Sequence, residues 1–255
     1  MRPGGIGLAP VHVTIQLQDP SPTNAVAGKQ VIAVLSGKGG VGKTTVALAV
    51  AAIWARDGLN VALVDRDPQG GAPLAAGVLR SAAPLRAAPQ RSHGVLLFPS
   101  GRALAASSVD DLSRHVALAA DNATLTLIDL SPALTDASHV AALRHHATFA
   151  LVVARTDAAG LANAEEAVGL CVELGCPYLV VLALKGHTSL AREAEAFLRG
   201  RFGAHVAQAT VPLDARAAEA AAAKKPVPLF ARNARASRAL EALAREILER
   251  MERAL

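Results

Sequence analysis

A glycine-rich stretch from Ser36 to Thr45 reads SGKGGVGKTT. Glycines let backbone N–H groups converge on an anion without obstruction by a Cβ atom. The part from Gly37 onward fits the spacing GxxxxGK[ST], in which the lysine neutralises the β and γ phosphates of a nucleotide and the next hydroxyl binds Mg²⁺. Lys43 and Thr44 are the residues predicted to do this. The predicted nucleotide-contacting residues of the loop are Gly37, Lys38, Gly39, Gly40, Val41, Gly42, Lys43, Thr44 and Thr45.

The loop contains a second lysine, Lys38, which simple phosphate cradling does not require because the backbone already binds the phosphates there. We expect its side chain to reach a nucleotide, including one bound by a neighbouring subunit. The alternative is a solvated surface charge.

Three aspartates stand at the ends of apolar runs. Asp65 and Asp67 follow the run that begins at Asn60, and Asp129 ends the run that begins at Leu125. Phosphoryl transfer needs charge neutralisation and an in-line water, and carboxylates beside a phosphate loop can supply a metal shell and a contact for that water. The alternative for these residues is strand-end capping and turn formation.

Short apolar runs alternate with helical patterns from residue 30 onward. The pattern predicts an α/β fold with a doubly wound, mostly parallel sheet flanked by helices, which binds ligands at the carboxyl ends of its strands. The predicted strands are 31–35, 60–65, 94–98, 125–129, 149–154, 178–184 and 205–211. The predicted helices are 43–57, 101–120, 137–147, 160–174, 189–201 and 237–255.

Residues 1–29 are predicted to be an extension that precedes one domain over 30–255. The segment 11–17 reads VHVTIQL and alternates apolar with polar residues, which fits an edge strand. Disorder is the alternative.

The net charge of +5 is confined to the last quarter of the 255-residue chain, since residues 1–184 are neutral overall. Such a cluster is typical of a polyanionic partner, DNA or an anionic membrane, although a general excess of arginine would also produce it. Aromatic residues make up 3% of the chain, which argues against base stacking as a binding mode.

Cys171 and Cys176 have neither a CxxC nor a zinc spacing, and we interpret them as small buried residues. No apolar run approaches the length of a membrane span, and the N-terminus lacks the order of a signal peptide. These features predict a cytoplasmic protein.

The motifs together resemble the deviant Walker A ATPases of the ParA/MinD family. The intra-loop lysine motif covers 38–45, and 64–70 (VDRDPQG) resembles the DxDPQ switch I pattern. The segment 128–132 (IDLSP) resembles Walker B with switch II. The segment 211–216 (VPLDAR), followed by 225–227, resembles the late segment that passes over the base. The likeness covers roughly residues 30–250.

The resemblance implies that Lys38 contacts nucleotide across an ATP-sandwich dimer. It assigns Asp67 to orienting or activating the attacking water, Asp65 to supporting the metal shell, and Asp129 to acting on Mg²⁺ through water. Pro212 is placed beside the base. The implied catalytic residues are Lys38, Lys43 and Asp67, the implied metal residues are Thr44, Asp65 and Asp129, and the implied cofactors are ATP and Mg²⁺.

The chain also departs from the family pattern. Switch II reads Asp-Leu-Ser-Pro where many relatives have Asp-Thr-Pro-Pro, which puts its geometry in question. Lys185-Gly186 stands where relatives often have Asn-Arg, which weakens any assignment of an adenine contact. The short N-terminal extension has no room for a helix-turn-helix domain, so the chain resembles the small ParA proteins.

In ParA-like proteins, ATP-bound dimers bind DNA without sequence preference through basic residues of the C-terminal half. The resemblance therefore implies a homodimer on ATP binding, non-specific DNA, a nucleoid-associated location, and a ParB-like centromere-binding or cargo adaptor protein as partners. Arg192, Arg199 and Arg201 are weaker DNA-binding candidates. The favoured candidates, opposed only by Glu219 over 216–238, are Arg216, Lys224, Lys225, Arg232, Arg235 and Arg238.

The predicted function is an ATP-dependent partitioning ATPase that segregates chromosome or plasmid DNA, slow without its partner. The alternatives are a MinD-like membrane-associated ATPase or a positioner of a protein cargo. Stable membrane binding is not expected, because the last helix lacks aromatic residues and pairs Glu with Arg at i,i+4 spacing. An iron–sulfur carrier would need ligand cysteines, and a biosynthetic ligase would need a substrate pocket that the sequence does not identify.

Overall fold

A computed structural model of the chain describes residues 28–67, 71–77, 89–98, 109–134 and 136–254. The predicted edge strand at 11–17 and the first part of the predicted helix 101–120 lie outside the described residues. Residues 68–70 of the DxDPQ pattern do so as well.

The described strands form one sheet in the order β3-β4-β2-β5-β1-β6-β7. All neighbouring pairs are parallel except β3 with β4. The strands are β1 (Gln30–Leu35), β2 (Val61–Asp65), β3 (Gln90–Ser92), β4 (Val95–Phe98), β5 (Leu125–Asp129), β6 (Phe149–Arg155) and β7 (Tyr178–Ala183).

Helices connect these strands and cover both faces of the sheet. They are α1 (Lys43–Arg56), α2 (Gly71–Ala75), α3 (Val109–Asn122), α4 (Ala137–His145), α5 (Ala158–Glu173), α6 (Ser189–Phe202), α7 (Ala215–Ala222), α8 (Val227–Phe230) and α9 (Arg235–Ala254). The predicted fold class is thereby confirmed.

The central strand β1 shows why the sheet has two covered faces. Its side chains alternate, so that Ile32 and Val34 pack into the core beneath α1 and α9, whereas Ala33 and Leu35 pack into the core on the other face. A strand that is buried on both sides must be apolar throughout, and this accounts for the continuous hydrophobic runs in the sequence.

The last helix packs against the first. Leu240, Leu243, Ile247 and Met251 of α9 are buried in the core that α1 shares. Trp54 of α1 donates a hydrogen bond from Nε1 to the Ala244 carbonyl at 3.1 Å. The prediction of one helix over 237–255 is confirmed, and the apolar face of that helix lies in the core.

The predicted strand at 205–211 is wrong. The chain there forms a 3-10 turn over Gly203–His205 and then meets β7 without forming a strand, through a bridge of Val206 with Val180 and backbone hydrogen bonds from Ala207 and Val211. The reason is competition for its backbone groups. Arg199 donates to the Ala207 carbonyl at 3.0 Å, and the Glu246 carboxylate accepts from the Gln208 N–H at 2.9 Å, so side chains occupy groups that a strand ladder would use.

Asp214 fixes the segment that follows. Its Oδ1 accepts from the Arg216 N–H at 3.0 Å at the start of α7, and its Oδ2 accepts from the Ala236 N–H at 3.1 Å at the start of α9. One carboxylate thus accepts hydrogen bonds from N–H groups at two helix starts, where such groups have no partner within their own helix. These bonds favour the ionised form and hold the pKa of Asp214 below its usual range.

We expect Asp214→Ala to lower the free energy of unfolding by about 1–2 kcal/mol, because two capping bonds are lost. Urea unfolding at neutral pH measures this. Since the folded-state pKa is lowered, the contribution of the charge is present above the ordinary aspartate pKa of about 4 and is lost as the pH falls through the folded-state value. Asp214→Asn, which keeps an acceptor oxygen, should retain part of the stability; equal losses in both variants would contradict the capping role.

Candidate nucleotide site

The glycine-rich loop joins the end of β1 to the start of α1 at the carboxyl edge of the sheet. Gly40 and Gly42 have φ angles of 74° and 91°, which side chains with a Cβ atom rarely adopt. Gly42 is the N-cap of α1, so the positive end of the helix dipole points toward the loop. Backbone donors and a helix N-terminus therefore meet where an anion would bind.

A hollow of about 300 Å³ lies on this loop. Nine of the residues that line it come from the predicted phosphate loop or the two predicted switch segments, and Leu184 completes the wall. The lining residues are Lys38, Gly39, Gly40, Gly42, Lys43, Thr44, Thr45, Asp67, Pro132 and Leu184.

Lys43 is buried and forms an ion pair with Asp129, with 2.5 Å between Nζ and Oδ1. Asp129 ends β5, the strand adjacent to β1, so sheet register brings the two charges together. The pair shows that the predicted phosphate lysine and the predicted Walker B carboxylate belong to one cluster.

Asp65 joins the same cluster through strand register. It is the direct neighbour of Asp129 across the β2–β5 pair, and the Arg66 N–H donates to the Asp129 carbonyl at 2.8 Å. Burial raises the pKa of Asp65 to about 8, and the charge of Asp129 acts in the same direction. Burial thus disfavours the charged form of Asp65 beside the Lys43–Asp129 ion pair.

The oxygen atoms of this cluster suit a divalent cation. Asp65 Oδ2 and Asp129 Oδ2 are buried and have no hydrogen-bond partner among the described residues. Thr44 is half-buried on the wall of the hollow. Mg²⁺ takes one or two carboxylates together with waters and substrate phosphates, so the donor set fits it. No cluster of three or more His, Cys, Asp or Glu ligands occurs within the described ranges.

Lys38 and Asp67 lie at the rim of the hollow. Lys38 is exposed, and its carbonyl accepts a hydrogen bond from Ser36 Oγ at 3.0 Å. Asp67 is half-buried, and its N–H donates to Asp65 Oδ1 at 2.9 Å, which fixes the turn that follows β2. Lys38 is therefore the exposed lysine of the hollow, whereas Lys43 is buried.

Pro212 is not among the residues that line the hollow; it forms an isolated bridge with Lys185. The Lys185 side chain pairs with Glu195, and its backbone N–H donates to Val211. The contact between Pro212 and the base stays a prediction.

Several residues of the site carry no signal that a motif search detects. Gly71 begins α2 so close to Thr44 that an added Cβ would lie 3.4 Å from its hydroxyl. An added Cβ on Gly37 would lie 2.9 Å from the Cβ of Asn163 in α5. His139 of α4 contacts the switch II turn at Ser131. Among these residues only Gly71 offers a sequence signal, since it is the second glycine after the DxDPQ pattern.

The predicted DNA-binding residues are all exposed. Lys224 and Lys225 lie between α7 and α8, and the others lie on α7, before α9, or at its start. Ser237 Oγ, which donates to the Ala231 carbonyl at 2.7 Å, fixes the turn that presents them. Two of the six have side-chain partners, since Arg216 pairs with Glu219 at 2.6 Å and Arg235 contacts His187 at 3.2 Å.

A larger hollow of about 410 Å³ lies at the opposite, amino edge of the sheet and includes Cys171 and Cys176 in its walls. Both cysteines are free and buried, as expected, and burial raises their pKa values to about 12 and about 11. This hollow lacks the carboxylates and the glycine loop that phosphate chemistry requires.

Comparison with known proteins decides the family. Residues 32–227 match the model of the CobQ/CobB/MinD/ParA nucleotide binding domain. The chain is 33% identical over 241 residues to the chromosome-partitioning ATPase Soj of Thermus thermophilus, which covers 88% of this chain and 97% of the relative. This chain belongs to the CobQ/CobB/MinD/ParA family.

A further curated relative agrees with the family, and a solved structure agrees with the fold. The chromosome partitioning protein ParA of Caulobacter vibrioides is 28% identical, covering 87% of this chain and 94% of that protein. The structure of the septum site-determining protein MinD of Pyrococcus horikoshii superposes with a TM-score of 0.73 at 20% identity, covering 86% of this chain and 96% of that one. The resemblance seen in the sequence motifs is confirmed, and so is nucleotide binding as the property of the domain.

None of the helices within the described ranges combines the length and the apolar content that crossing a membrane requires.

We expect Lys43→Met to destabilise the nucleotide-free protein by about 3–5 kcal/mol, because it leaves the Asp129 charge buried and unpaired. Asp129→Asn should also destabilise it, whereas the double variant should recover much of the loss. A double-mutant cycle of urea unfolding free energies measures this coupling.

The exposed pair Lys29–Asp121, 2.8 Å apart, is the matched control. The cycle with Lys29→Met and Asp121→Asn should give a coupling below about 1 kcal/mol. Equal coupling at the two sites would contradict a special role for burial in the Lys43–Asp129 pair.

Proposed function

We propose that this protein is an ATP-dependent partitioning ATPase that forms an ATP-sandwich dimer, binds DNA without sequence preference and hydrolyses ATP to segregate chromosome or plasmid DNA. Its proposed cofactors are ATP and Mg²⁺. The similarity to Soj, a chromosome-partitioning ATPase, supports the class of activity. The MinD structure, which is complexed with Mg-ADP, supports the cofactors.

The observation that carries the proposal is the separation of the two loop lysines. Lys43 is buried and held by Asp129, so it serves the phosphates of its own subunit. Lys38 is exposed at the rim of the hollow, from which an ammonium group can meet a nucleotide presented by a second copy. A site completed in this way makes ATP the condition for dimerisation.

The chain's own residues supply orientation and charge. The loop N–H groups and Lys43 bind the phosphates, while Asp67 at the rim orients the attacking water. Bound Mg²⁺, held by Thr44 and directly or through water by Asp129 and Asp65, would neutralise charge on the phosphates. Asp65 also fixes Asp67 through its hydrogen bond with the Asp67 N–H.

The basic residues of α7, of the turns on either side of α8 and of the start of α9 form the basic surface that is the proposed DNA contact. Six cations on 216–238 face one acidic residue, and a dimer would double this charge. Phosphate contacts of this kind bind any sequence and weaken steeply with salt. The proposal places the protein in the cytoplasm at the nucleoid, with a ParB-like centromere-binding or cargo adaptor protein to stimulate hydrolysis.

Membrane association of the MinD kind is the alternative that the structure favours least. A membrane-binding helix must present its apolar face to lipid, whereas the apolar face of α9 is packed on α1. Flotation with anionic liposomes and ATP should leave the protein in the unbound fraction, and a positioner of a protein cargo would differ only in its adaptor.

We expect the affinity for DNA of arbitrary sequence to be at least about tenfold higher with ATP and Mg²⁺ than with ADP or no nucleotide, because dimerisation doubles the phosphate contacts. Fluorescence anisotropy with a DNA duplex of about 50 base pairs, at several salt concentrations, measures this affinity. The double variant Lys224→Ala/Lys225→Ala should lower the affinity and reduce the slope of log K against log salt by about 2 per subunit.

The matched control removes two exposed cations from another surface, with Lys29→Ala and Arg114→Ala. It should leave both the affinity and the salt slope close to those of the unmodified protein. The same affinity in all three nucleotide states would refute the ATP-dependent switch.

We expect Lys38→Ala to abolish the ATP-dependent dimer and to lower turnover by about 100-fold. The reason is that the substitution removes the positive charge that would stabilise the transferred phosphoryl group. ATP binding should persist through Lys43. Light scattering coupled to size exclusion measures the dimer, and a phosphate-release assay measures turnover. If the variant dimerises and hydrolyses ATP normally, Lys38 has no role across the interface.

A further inference from the structure

The turn that follows β5 lies over a buried histidine of α4. His139 is 1% exposed, and its Nε2 is 2.7 Å from the carbonyl oxygen of Ser131. A carbonyl oxygen only accepts hydrogen bonds, so Nε2 carries the proton and donates. The hydroxyl of Ser131 lies 3.5 Å from the same nitrogen.

This contact acts on the part of the site that sheet bonds do not hold. The Leu130 N–H still donates to the Val34 carbonyl at 3.1 Å, as a strand residue does. The next residue, Ser131, has its carbonyl held by a side chain. Ser131 separates the strand end that carries Asp129 from Pro132, whose ring lines the nucleotide hollow and lies 3.9 Å from the Cβ position of Gly39.

The other ring nitrogen of His139, Nδ1, is buried and has no hydrogen-bond partner among the described residues. This indicates that the residue is not present for stability alone. A buried polar atom without a partner costs stability, and an apolar side chain of similar size would avoid that cost. What the imidazole adds over such a side chain is the N–H that reaches Ser131.

The ring is held in its neutral form. Burial lowers the pKa of His139, and the positive charges of Lys43 and Arg66 act in the same direction, while the bond to Ser131 and the charge of Asp136 oppose it. A neutral ring that donates from Nε2 has one fixed tautomer and therefore one direction of donation.

We propose that His139 is a positioning residue of the nucleotide site, which fixes the Ser131 carbonyl and thereby sets the turn between Asp129 and Pro132. The inference rests on the proposed ATP hydrolysis and assigns the residue that orders switch II for it. His139 touches neither nucleotide nor the reacting atoms; it acts through the turn.

Three substitutions separate the hydrogen bond from the volume of the ring. His139→Gln places an N–H near the position of Nε2, His139→Asn is one carbon too short to reach it, and His139→Leu removes the donor while it keeps an apolar group of similar size. In the nucleotide-free protein, hydrogen exchange of a peptide over 129–134 should be about tenfold faster in the asparagine and leucine variants than in the unmodified protein. The glutamine variant should stay within about threefold, and a peptide over Phe149–Arg155 of β6 reports on global unfolding.

The same variants are measured for ATP hydrolysis. With the asparagine and leucine variants we expect kcat to fall about tenfold and the KM for MgATP to change less than about twofold, because His139 does not contact the phosphate loop. The glutamine variant should recover most of kcat. If all three variants match the unmodified protein, or if all three are equally impaired, the positioning role is wrong.

The exchange measurement keeps this inference separate from the proposed function. The measurement needs no nucleotide. It would therefore still test the role of His139 if ATP-dependent DNA binding were not observed. Conversely, normal partitioning activity in the unmodified protein together with uniform exchange in all variants would refute the role of His139 alone.

Discussion

The buried ion pair between Lys43 and Asp129 is the interaction on which the site depends. A lysine with 6% of its side chain exposed is stable in that position only with a partner, and the partner comes from the neighbouring strand. The pair therefore requires β1 and β5 to be adjacent and in one register. In the proposed nucleotide complex, a phosphate bound above the loop would compete with Asp129 for the same ammonium group. Nucleotide binding would thereby be linked to the end of β5, and from there to the turn at Ser131.

Sheet register explains how sequence-distant residues become one cluster. Asp65 and Asp129 are 64 positions apart and are direct neighbours across β2 and β5. The pKa of Asp65 is raised mainly because the group is buried, and the charge of the adjacent Asp129 acts in the same direction. The second carboxyl group of the cluster, that of Asp65, has an oxygen atom that accepts no hydrogen bond from any described residue. That arrangement suits a site whose positive charge arrives with its ligand.

The sequence predicted those parts of the structure that depend on local chemistry. Asp129 and the loop around Lys43 could be located because apolar runs end there. Closely spaced glycines also indicate a backbone turn with positive φ, such as the phosphate loop requires. The segment 205–211 could not, since its backbone groups are taken by Arg199 and Glu246 from other elements. His139 was missed for a similar reason: its role comes from a hydrogen bond to a carbonyl eight residues earlier in the chain, and a carbonyl leaves no mark on residue identity.

The basic surface is attached to the nucleotide hollow by a short and well-bonded path. Leu184 lines the hollow, and the next residue, Lys185, exchanges backbone hydrogen bonds with Val211 and Leu213 at 3.1 and 2.9 Å. Asp214 then caps both α7 and α9, which carry the cations. Proximity of this kind does not by itself couple two sites. It does mean that the cations are fixed relative to the phosphate loop. In the proposed dimer, an ATP molecule that sets how the two copies face each other would therefore also set where the two basic surfaces lie.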